Sequence, residues 1–381
     1  MTSPDVAVIG GGIVGCSAAL FLARGGARVR LYERERVAGA ASGRNSGVVQ
    51  RPFDPVLGEL YRDTLELYRA LEAADPSGFR LPPEPAGLLL VASDPAVAAA
   101  TARAFEAAVP GTGAEVLDAA TVATVEPSLA PDVVACRVPI GFPVAPAAAT
   151  LAIADLAGRA GVEIRQGTEA TPVVDGDRAT GVRILGPGEG EEPAGAVIVA
   201  AGPWSPALVD PSGGWRPIRA IWGVVVEVGL DDPPRHVLEE AGIDASTDAG
   251  GEVRGSAVEF SLVTAAGRSA LGSTFLEDPP DPASLVGPIV DHGGRFVPAV
   301  RAAPILGHRM CARPLSADGA PLLGPVAGLE GLWIAAGHGP WGISTGPASA
   351  RLVADAILDG VPIPPVLAAS RFGPALLGPP D

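Results

Sequence analysis

The sequence predicts an α/β protein in which a doubly wound parallel sheet is interwoven with a second domain built on an antiparallel sheet. Three observations lead to this fold class. A buried strand, a glycine-rich turn and a helix open the chain at Val6–Gly26. Similar strand-and-turn patterns return in the middle and at the end of the chain. Short alternating runs, typical of antiparallel strands, lie between them.

The parallel sheet is predicted from four strand-and-turn segments. "VAVIG" (Val6–Gly10) is a buried strand, "CSAALFLARGG" is the helix that follows, and "ARVRLYERE" is the second strand. Thr150–Ala160 is a helix that leads into the strand "GVEIRQG", and "AVIVAAGPWS" (Ala196–Ser205) is a strand that ends in a glycine turn. "GLWIAAGHGPWGIST" repeats this pattern before a helix from about Gly346 to Leu358. Successive β-turn-α-β units of this kind form a doubly wound sheet.

The remaining segments predict the second domain. Pro55–Ala74 has apolar residues at helical spacing, Gly87–Pro95 is a strand, and Ala96–Val109 is an alanine-rich helix. Short alternating runs within Val224–Thr274 predict an antiparallel sheet. The predicted division assigns to one domain residues 1–85, 141–220 and 306–381, and to the other residues 86–140 and 221–305.

Composition limits the possible partners. The 381 residues are 48% hydrophobic and 18% charged, with a formal net charge of −16. An acidic chain argues against nucleic acid or an anionic membrane surface as a partner, because both require a basic face. All 27 basic residues are arginine, which excludes a lysine-dependent phosphate loop and a Schiff-base lysine.

The number and spacing of the cysteines and the uncharged N-terminal segment indicate the cellular compartment of the protein. Cys16, Cys136 and Cys311 lie far apart and form no Cys-x-x-Cys pair, so neither a disulfide framework nor a metal site is predicted. An odd number of cysteines in a chain of this size favours a cytoplasmic protein. The uncharged run Val6–Ala23 follows Asp5 rather than basic residues and is interrupted by glycines, which argues against an export signal.

The first glycine turn carries the dinucleotide-binding pattern Gly10-x-Gly12-x-x-Gly15. The first glycine makes the turn, the second lets a pyrophosphate approach the backbone, and the third packs the helix on the strand. The N-terminus of the helix supplies amide donors for phosphates. Glu33 ends the second strand, where a carboxylate can accept hydrogen bonds from ribose hydroxyls. The segment therefore predicts a Rossmann-like, nucleotide-binding domain.

A second loop of small residues, "GAASGRNSGVV" (Gly39–Val49), distinguishes FAD from NAD. It contains a cation, Arg44, and hydroxyl groups close behind Glu33. NAD does not require such a loop, whereas the second phosphate and the ring of FAD continue past the first turn. The alternative is a solvated loop in which Arg44 faces water.

Together these motifs resemble the D-amino-acid oxidase superfamily of flavoproteins. The similarity rests on "VAVIGGGIVGCSAALFLARGGARVRLYERE", "ASGRNSG", "VIVAAGPWS", "RPLSADGAPLLGP" and "GLWIAAGHGPWGISTGPASARLVADAI", and it is weakest between Pro206 and Pro304. The nearest branch contains glycine oxidase, sarcosine oxidase and D-amino-acid dehydrogenase. The resemblance implies a Rossmann-like FAD-binding domain and a substrate domain whose antiparallel sheet lies over the flavin ring.

The resemblance also implies a set of cofactor-binding positions. They are Gly10, Gly12, Ile13, Val14 and Gly15 at the pyrophosphate; Glu33 and Arg34 at the ribose; Ala41, Ser42, Arg44, Asn45, Ser46, Gly47 and Val48 in the second loop; Val173 at the adenine; Ala201, Gly202 and Trp204 in the middle turn; and Gly337, His338, Gly339, Trp341, Gly342, Ile343 and Ser344 at the flavin pyrimidine ring. A glycine turn that leads into a helix offers backbone donors to an anionic reduced flavin.

Arg313 and Cys311 lie on one segment, "GHRMCARPLSADGAPLLGP" (Gly307–Pro325). In glycine oxidase-like members, an arginine at the position of Arg313 holds the substrate carboxylate, to which a guanidinium can donate two charge-assisted hydrogen bonds. The alternative for Arg313 is an ion pair with Asp318. In sarcosine oxidase-like members, a cysteine at the position of Cys311 is covalently bound to the flavin. The alternative for Cys311 is a buried apolar side chain.

The chain departs from the sarcosine oxidase pattern at the lysine that assists reaction with oxygen, because Ala270 stands at the matching position. An oxidase would need another cation, such as Arg268 or Arg51, whereas a dehydrogenase would pass electrons to a quinone or a protein. His338 is the histidine in the flavin turn, so it is a candidate to contact the flavin or the substrate.

The predicted function is FAD-dependent oxidation of the C–N bond of a small amino acid or N-alkyl amino acid. Arg313 would hold the substrate carboxylate, hydride would pass from Cα to flavin N5, and the imine would hydrolyse to an oxo acid. One alternative is 2-hydroxy-acid oxidation, which "SGRNSGV" also resembles and which needs His338 as a base. Another is the flavin subunit of a heteromeric amine dehydrogenase. The sequence does not determine the electron acceptor, the substrate side chain or the oligomeric state.

Overall fold

The computed structural model describes residues 5–75, 78–242 and 258–373. The strands are β1 (Val6–Ile9), β2 (Val29–Glu33), β3 (Val48–Val49), β4 (Leu88–Ala92), β5 (Glu115–Leu117), β6 (Val134–Val138), β7 (Phe142–Pro143), β8 (Glu163–Gln166), β9 (Glu169–Asp175), β10 (Arg178–Leu185), β11 (Gly190–Pro193), β12 (Ala196–Val199), β13 (Ile218–Val228), β14 (Val237–Glu240), β15 (Ser261–Ala265), β16 (Arg268–Gly272), β17 (Ile305–Ser316), β18 (Leu322–Pro325) and β19 (Leu332–Ala336). The α-helices are α1 (Ile13–Arg24), α2 (Ala41–Arg44), α3 (Pro55–Ala74), α4 (Pro95–Ala108), α5 (Ala119–Val125), α6 (Ala148–Arg159), α7 (Ser205–Val209), α8 (Val286–Phe296) and α9 (Gly342–Asp359).

The chain forms two compact units, each assembled from separate segments. The described residues of unit 1 lie within Met1–Gly43, Ala147–Ala220 and Arg313–Asp381, and those of unit 2 within Arg44–Pro146 and Ile221–Ala312. This division differs from the predicted domains at residues 44–85, 141–146 and 306–312, which group with unit 2. The reason is local packing, since β3 pairs with β7. In addition, Phe53 packs edge-on against Phe105 with ring centroids 3.9 Å apart.

Unit 1 contains the predicted parallel sheet, with strand order β18-β19-β12-β1-β2-β8. β1 lies between β2 and β12, pairs in parallel with both, and is buried along its whole length. A central parallel strand is covered on both faces, which explains the uninterrupted apolar run "VAVI". The antiparallel pair of β18 and β19 forms one edge of the sheet. The Rossmann-like prediction is confirmed.

Helix α9 begins four residues before the predicted start, at Gly342 rather than Gly346. The run of glycines had indicated a longer turn. In the structure Gly346 lies inside the helix, where a Cβ would come within 3.0 Å of the Val14 side chain of α1. The absence of a side chain at Gly346 therefore lets α9 pack closely on α1.

Unit 2 is built on an eight-stranded sheet with order β17-β13-β16-β15-β14-β4-β6-β5. Most neighbours are antiparallel, as predicted, but β14 and β4 are parallel. One face of the sheet carries Leu238, Leu262 and Leu271, which belong to a core cluster with Phe296 of α8. The other face carries a second cluster, which includes Phe105 of α4.

In the described segments, no helix combines the length and the apolar character needed to cross a lipid bilayer.

Candidate active site

The glycine turn after β1 has a backbone that only glycine can adopt. Gly10 has a φ of +115°, and a Cβ on it would overlap the carbonyl oxygen of Ala200. A Cβ on Gly15 would overlap the carbonyl oxygen of Gly10. The first turn of α1 therefore packs directly against the end of β1, and the bare backbone of the turn can approach a ligand closely.

Two side chains accept hydrogen bonds from backbone amides of this turn. Glu33, at the end of β2, accepts a hydrogen bond from the Gly11 amide at 2.7 Å. Ser42 accepts one from the Ile13 amide, the first of α1, at 2.9 Å. The contact between Ile13 and Ser42 joins two predicted cofactor residues, and the other brings the predicted Glu33 to the turn, each across more than twenty positions of sequence. A helix N-terminus with a carboxylate and a hydroxyl at its side fits the pyrophosphate and ribose of a dinucleotide.

The predicted ribose and middle-turn residues also meet in unit 1. The guanidinium of Arg34 lies over the ring of Trp204, 4.2 Å from the centroid. Gly202 begins the short 3₁₀ helix Gly202–Trp204 with a φ of +57°, directly after Ala201. Val173, the predicted adenine contact, lies on β9 and pairs with Gly181 of β10. The indole of Trp204 is 37% exposed, so one apolar surface at this turn is open to a ligand.

The C-terminal turn places His338 in a buried site between β19 and α9. The residue is 2% exposed, and its Nε2 has no hydrogen-bond partner within the described part of the chain. Burial lowers the pKa of His338 to about 4, so the imidazole is neutral at physiological pH. An unpartnered buried nitrogen of this kind is stabilised when a ligand supplies the missing hydrogen bond.

The rest of this turn leads the chain into α9. Gly337 has a φ of +89°, and Gly339–Trp341 form a single 3₁₀ turn that the Trp341 amide closes by donating to the His338 carbonyl at 2.9 Å. Gly342, Ile343 and Ser344 then form the first turn of α9, which has no side-chain cap. The amides of this helix N-terminus are suited to an electron-rich ring system.

The second predicted loop belongs largely to unit 2. The side chain of Asn45 accepts a hydrogen bond from the Gly47 amide at 2.8 Å and donates one to the Pro146 carbonyl at 3.3 Å. Gly47 has a φ of +89°, and Val48 follows it in β3. Arg44 is half-buried and donates to the Met310 carbonyl at 3.4 Å, so one end of this cation contacts the protein.

Arg309, which the sequence analysis did not single out, supports this loop. Its guanidinium donates to the Asn45 carbonyl at 2.9 Å and to the Arg44 carbonyl at 3.2 Å. It also forms an ion pair with Glu227, whose other oxygen lies 2.9 Å from Arg268. Desolvation lowers the pKa of Arg309, although Glu227 opposes this shift. The only available sequence signal was the alternation of Arg309, Cys311 and Arg313 on one strand.

The same strand, β17, carries Cys311 and Arg313. Alternate residues of a strand project to the same face. Cys311 is 6% exposed and close enough to Arg309 for their charges to interact. Asp318, the proposed partner of Arg313, binds Arg371 instead, through both carboxylate oxygens at 2.7 and 2.9 Å. The Asp318 carboxylate is therefore already engaged by a guanidinium, that of Arg371.

The two arginines proposed to assist oxygen have different surroundings. Arg268 is paired with Glu227, and its side chain is 63% exposed. Arg51 has a buried Nη1 without a hydrogen-bond partner among the described residues, and its guanidinium lies beside Gly58 of α3. Arg51 is therefore the better candidate for a cation that acts on a bound species. Among the described residues, no group of three or more His, Cys, Asp or Glu side chains could hold a metal ion.

Comparisons with known proteins show the family to which the chain belongs. A family model described as FAD dependent oxidoreductase (DAO) matches residues 5–356. The chain is 28% identical to a glycine oxidase of Pseudomonas aeruginosa, over 95% of this chain and 96% of the relative. It is 33% identical to a D-amino acid dehydrogenase of Cereibacter sphaeroides, over 55% of this chain and 45% of the relative.

The fold is also similar to a solved structure. The glycine oxidase of Geobacillus kaustophilus superposes with a TM-score of 0.79 at 23% identity, covering 97% of this chain and 98% of that one. The family match extends over nearly the whole described chain and includes both glycine turns. The chain therefore belongs to the FAD dependent oxidoreductase family, DAO.

Proposed function

We propose that this FAD-dependent oxidoreductase oxidises the carbon–nitrogen bond of a small amino acid or N-alkyl amino acid. The observation that supports this substrate class is the placement of Arg313 on β17, with Asp318 already bound to Arg371. The resemblance to a glycine oxidase along 95% of the chain points the same way. The product is an imine, which water hydrolyses to an oxo acid and an amine or ammonia.

The residues of the chain would act mainly by positioning. Bound FAD supplies the acceptor for the hydride that leaves Cα. The guanidinium of Arg313 binds the substrate carboxylate through two hydrogen bonds and so fixes the direction of the Cα–H bond. A substrate bound with a neutral amine would form the C=N bond with the nitrogen lone pair as hydride leaves Cα, which gives a protonated imine. This step needs no base, and the proton is released to water afterwards.

Anaerobic mixing tests this function directly. The purified holoenzyme would be mixed with glycine, sarcosine, D-alanine or L-proline, and flavin absorbance recorded. We expect at least one amine to bleach the flavin and to yield the matching oxo acid. Bleaching by 2-hydroxy acids alone would contradict the proposal. Reoxidation by air, by a soluble quinone or by a redox protein then identifies the electron acceptor.

The hydroxy-acid alternative makes a separate prediction about His338. Oxidation of an alcohol needs a base for the hydroxyl proton, and a base works best when its pKa lies near the working pH. Burial lowers the pKa of His338 to about 4, which makes it a weak base at pH 7. We expect His338→Ala to retain amine oxidation and to abolish any 2-hydroxy-acid turnover. Hydroxy-acid turnover that survives in this variant would exclude His338 as its base.

A covalent bond between Cys311 and the flavin is a further proposal. The S–H bond and one C–H bond of the flavin would be replaced by a C–S bond, and the two electrons released would reduce the flavin, which the electron acceptor of the enzyme would then reoxidise. A thiolate is the reactive form of cysteine, and a nearby cation favours it. Arg309 supplies that charge, since it interacts electrostatically with Cys311. We expect acid precipitation to leave the flavin colour in the protein pellet and Cys311→Ala to release it to the supernatant. Colour in the supernatant of the unaltered protein would make Cys311 a packing residue.

The proposal also covers the cellular compartment of the protein and whether the chain is active without a partner subunit. Cys16, Cys136 and Cys311 are all buried thiols, which supports a reducing environment such as the cytoplasm. A lone chain that turns over amino acids would exclude the role of an inactive subunit in a heteromeric dehydrogenase.

A further inference from the structure

Two arginines join strand β17 to the loop that follows α2, and they donate in opposite directions. Arg309 donates to the carbonyl of Arg44 at 3.2 Å and to the carbonyl of Asn45 at 2.9 Å. Arg44 in turn donates to the Met310 carbonyl at 3.4 Å. All of these residues belong to unit 2. A side chain of β17 therefore binds the backbone of the loop directly.

Arg309 can fix the loop carbonyls because its guanidinium is also held from another side. It forms an ion pair with Glu227 of β13, and its side chain is only 13% exposed. Its three guanidinium nitrogens, Nε, Nη1 and Nη2, each donate to the Glu227 carboxylate or to a loop carbonyl. A planar guanidinium that is engaged in this way leaves the carbonyls little freedom to turn.

The contact with the Asn45 carbonyl also sets the direction of the next amide. The peptide bond between Asn45 and Ser46 is trans. In a trans peptide the C=O and N–H bonds lie in one plane and point in opposite directions. Because the Asn45 carbonyl points to the Arg309 guanidinium, the Ser46 amide points away from it.

The donors of Ser46 are open to a ligand. None of the residues that the structure describes accepts a hydrogen bond from the Ser46 amide or pairs with the Ser46 hydroxyl. The next amide, that of Gly47, is already bound to the Asn45 side chain. The loop is also packed closely here, since a Cβ on Gly47 would come within 2.5 Å of the Val144 carbonyl oxygen. An amide and a hydroxyl on one half-buried residue are donors that a ligand oxygen can satisfy.

The chain leads to these donors from the dinucleotide turn. Ser42, four residues before Ser46, accepts a hydrogen bond from the Ile13 amide at that turn. Four residues span at most about 14 Å, so the Ser46 donors lie within that distance of Ser42. The chain belongs to a family of FAD-dependent enzymes. FAD is therefore the ligand that these donors can reach.

We propose that Arg309, held by Glu227, is a positioning residue for FAD. It turns the peptide between Asn45 and Ser46 so that the amide and the hydroxyl of Ser46 donate to an oxygen of the cofactor. Arg309 acts through the loop and does not itself touch FAD. The inference concerns the cofactor and holds whichever substrate the enzyme oxidises, so it fails or stands separately from the proposed function.

The rate at which FAD leaves the enzyme tests this role without measuring turnover. The holoenzyme is diluted, and the release of FAD is followed by the rise in flavin fluorescence. We expect Arg309→Leu to release FAD at least about tenfold faster, since the loop loses its hydrogen bonds to a charged group. Arg309→Lys keeps the charge and should restore part of the slow release. If the flavin is covalently bound, the same series is made in the Cys311→Ala protein.

A matched arginine separates positioning from general stability. Arg69 of α3 also donates to backbone carbonyls of a loop in unit 2, those of Leu81 and Pro82, and also forms an ion pair, with Glu72. We expect Arg69→Leu to lower the melting temperature without changing the rate of FAD release. Release that is equally fast in Arg69→Leu and Arg309→Leu would overturn the inference, because general destabilisation would then explain both.

A double-mutant cycle shows whether Arg309 acts through Ser46. Ser46→Ala removes the hydroxyl and should speed FAD release in the otherwise unaltered protein. In Arg309→Leu the donors of Ser46 are already misdirected, so the same substitution should have little further effect. Effects that simply add, or an Arg309→Leu protein that releases FAD at the unaltered rate, would contradict the proposed role. If Arg309→Leu does not fold, the cycle is made with Arg309→Lys.

Discussion

Replacing Arg313 with leucine should lower kcat/KM for amino-acid substrates by about 10²- to 10³-fold while leaving the FAD content unchanged. The guanidinium is the proposed anchor of the substrate carboxylate, and the Asp318 carboxylate is already bound by Arg371. Without the anchor, the substrate carboxylate loses two charge-assisted hydrogen bonds and the Cα–H bond loses its fixed direction. Stopped-flow flavin reduction separates the loss of binding from the loss of rate.

Two variants make this prediction specific. Arg313→Lys keeps the charge but not the two parallel donors, so we expect it to restore only part of the activity. Arg351→Leu is the matched control, because Arg351 is an exposed arginine of α9 whose ion pair with Asp355 contributes little to stability. Full activity in Arg313→Leu would mean that another cation binds the substrate carboxylate. Arg51 would then be the first residue to substitute.

Gly15→Ala should prevent FAD binding and destabilise unit 1 by on the order of 3 kcal/mol. A Cβ at Gly15 would overlap the carbonyl oxygen of Gly10, and neither backbone can move without separating α1 from β1. The same movement would displace the Ile13 amide, which now donates a hydrogen bond to the Ser42 hydroxyl. The ratio of flavin to protein after purification with added FAD, together with thermal unfolding, measures both effects.

Gly158→Ala provides the control for this substitution. Gly158 lies in α6 of the same unit, and a Cβ there would meet nothing within 4 Å. In that open position alanine should stabilise the helix by about 0.5–1 kcal/mol, because it restricts the unfolded chain. If Gly15→Ala bound FAD normally and unfolded at the same temperature as Gly158→Ala, the close contact between the turn and β1 would not be essential.

The sequence predicted those features that depend on neighbouring residues. The helix Pro55–Ala74 has the predicted bounds because its signals are local: Asp54 accepts a hydrogen bond from the Leu57 amide, Pro55 occupies the first position, and the apolar residues follow helical spacing. The turn at Gly10 and Gly15 was equally recognisable, since its glycines are required by contacts between adjacent elements.

Candidate site residues could be proposed where one segment carries the chemistry. The glycine turns, Glu33 and Arg313 were singled out from the sequence in this way and remain predictions. Arg309 was not singled out, because the groups that it contacts lie far away in the chain. It binds the Asn45 carbonyl across 264 positions. No local pattern encodes such a pairing.

The sequence alone indicated the parallel sheet and the nucleotide-binding turn, because short-range sterics and hydrophobic periodicity specify them. The family was indicated by the resemblance of its motifs to those of known flavoproteins. Only the tertiary structure decided which unit residues 44–85 join and where α9 begins. It also decided that Asp318 pairs with Arg371, which lies 53 positions further along the chain. These outcomes depend on side chains that meet only after the chain has folded, so their free energies are not contained in any single segment.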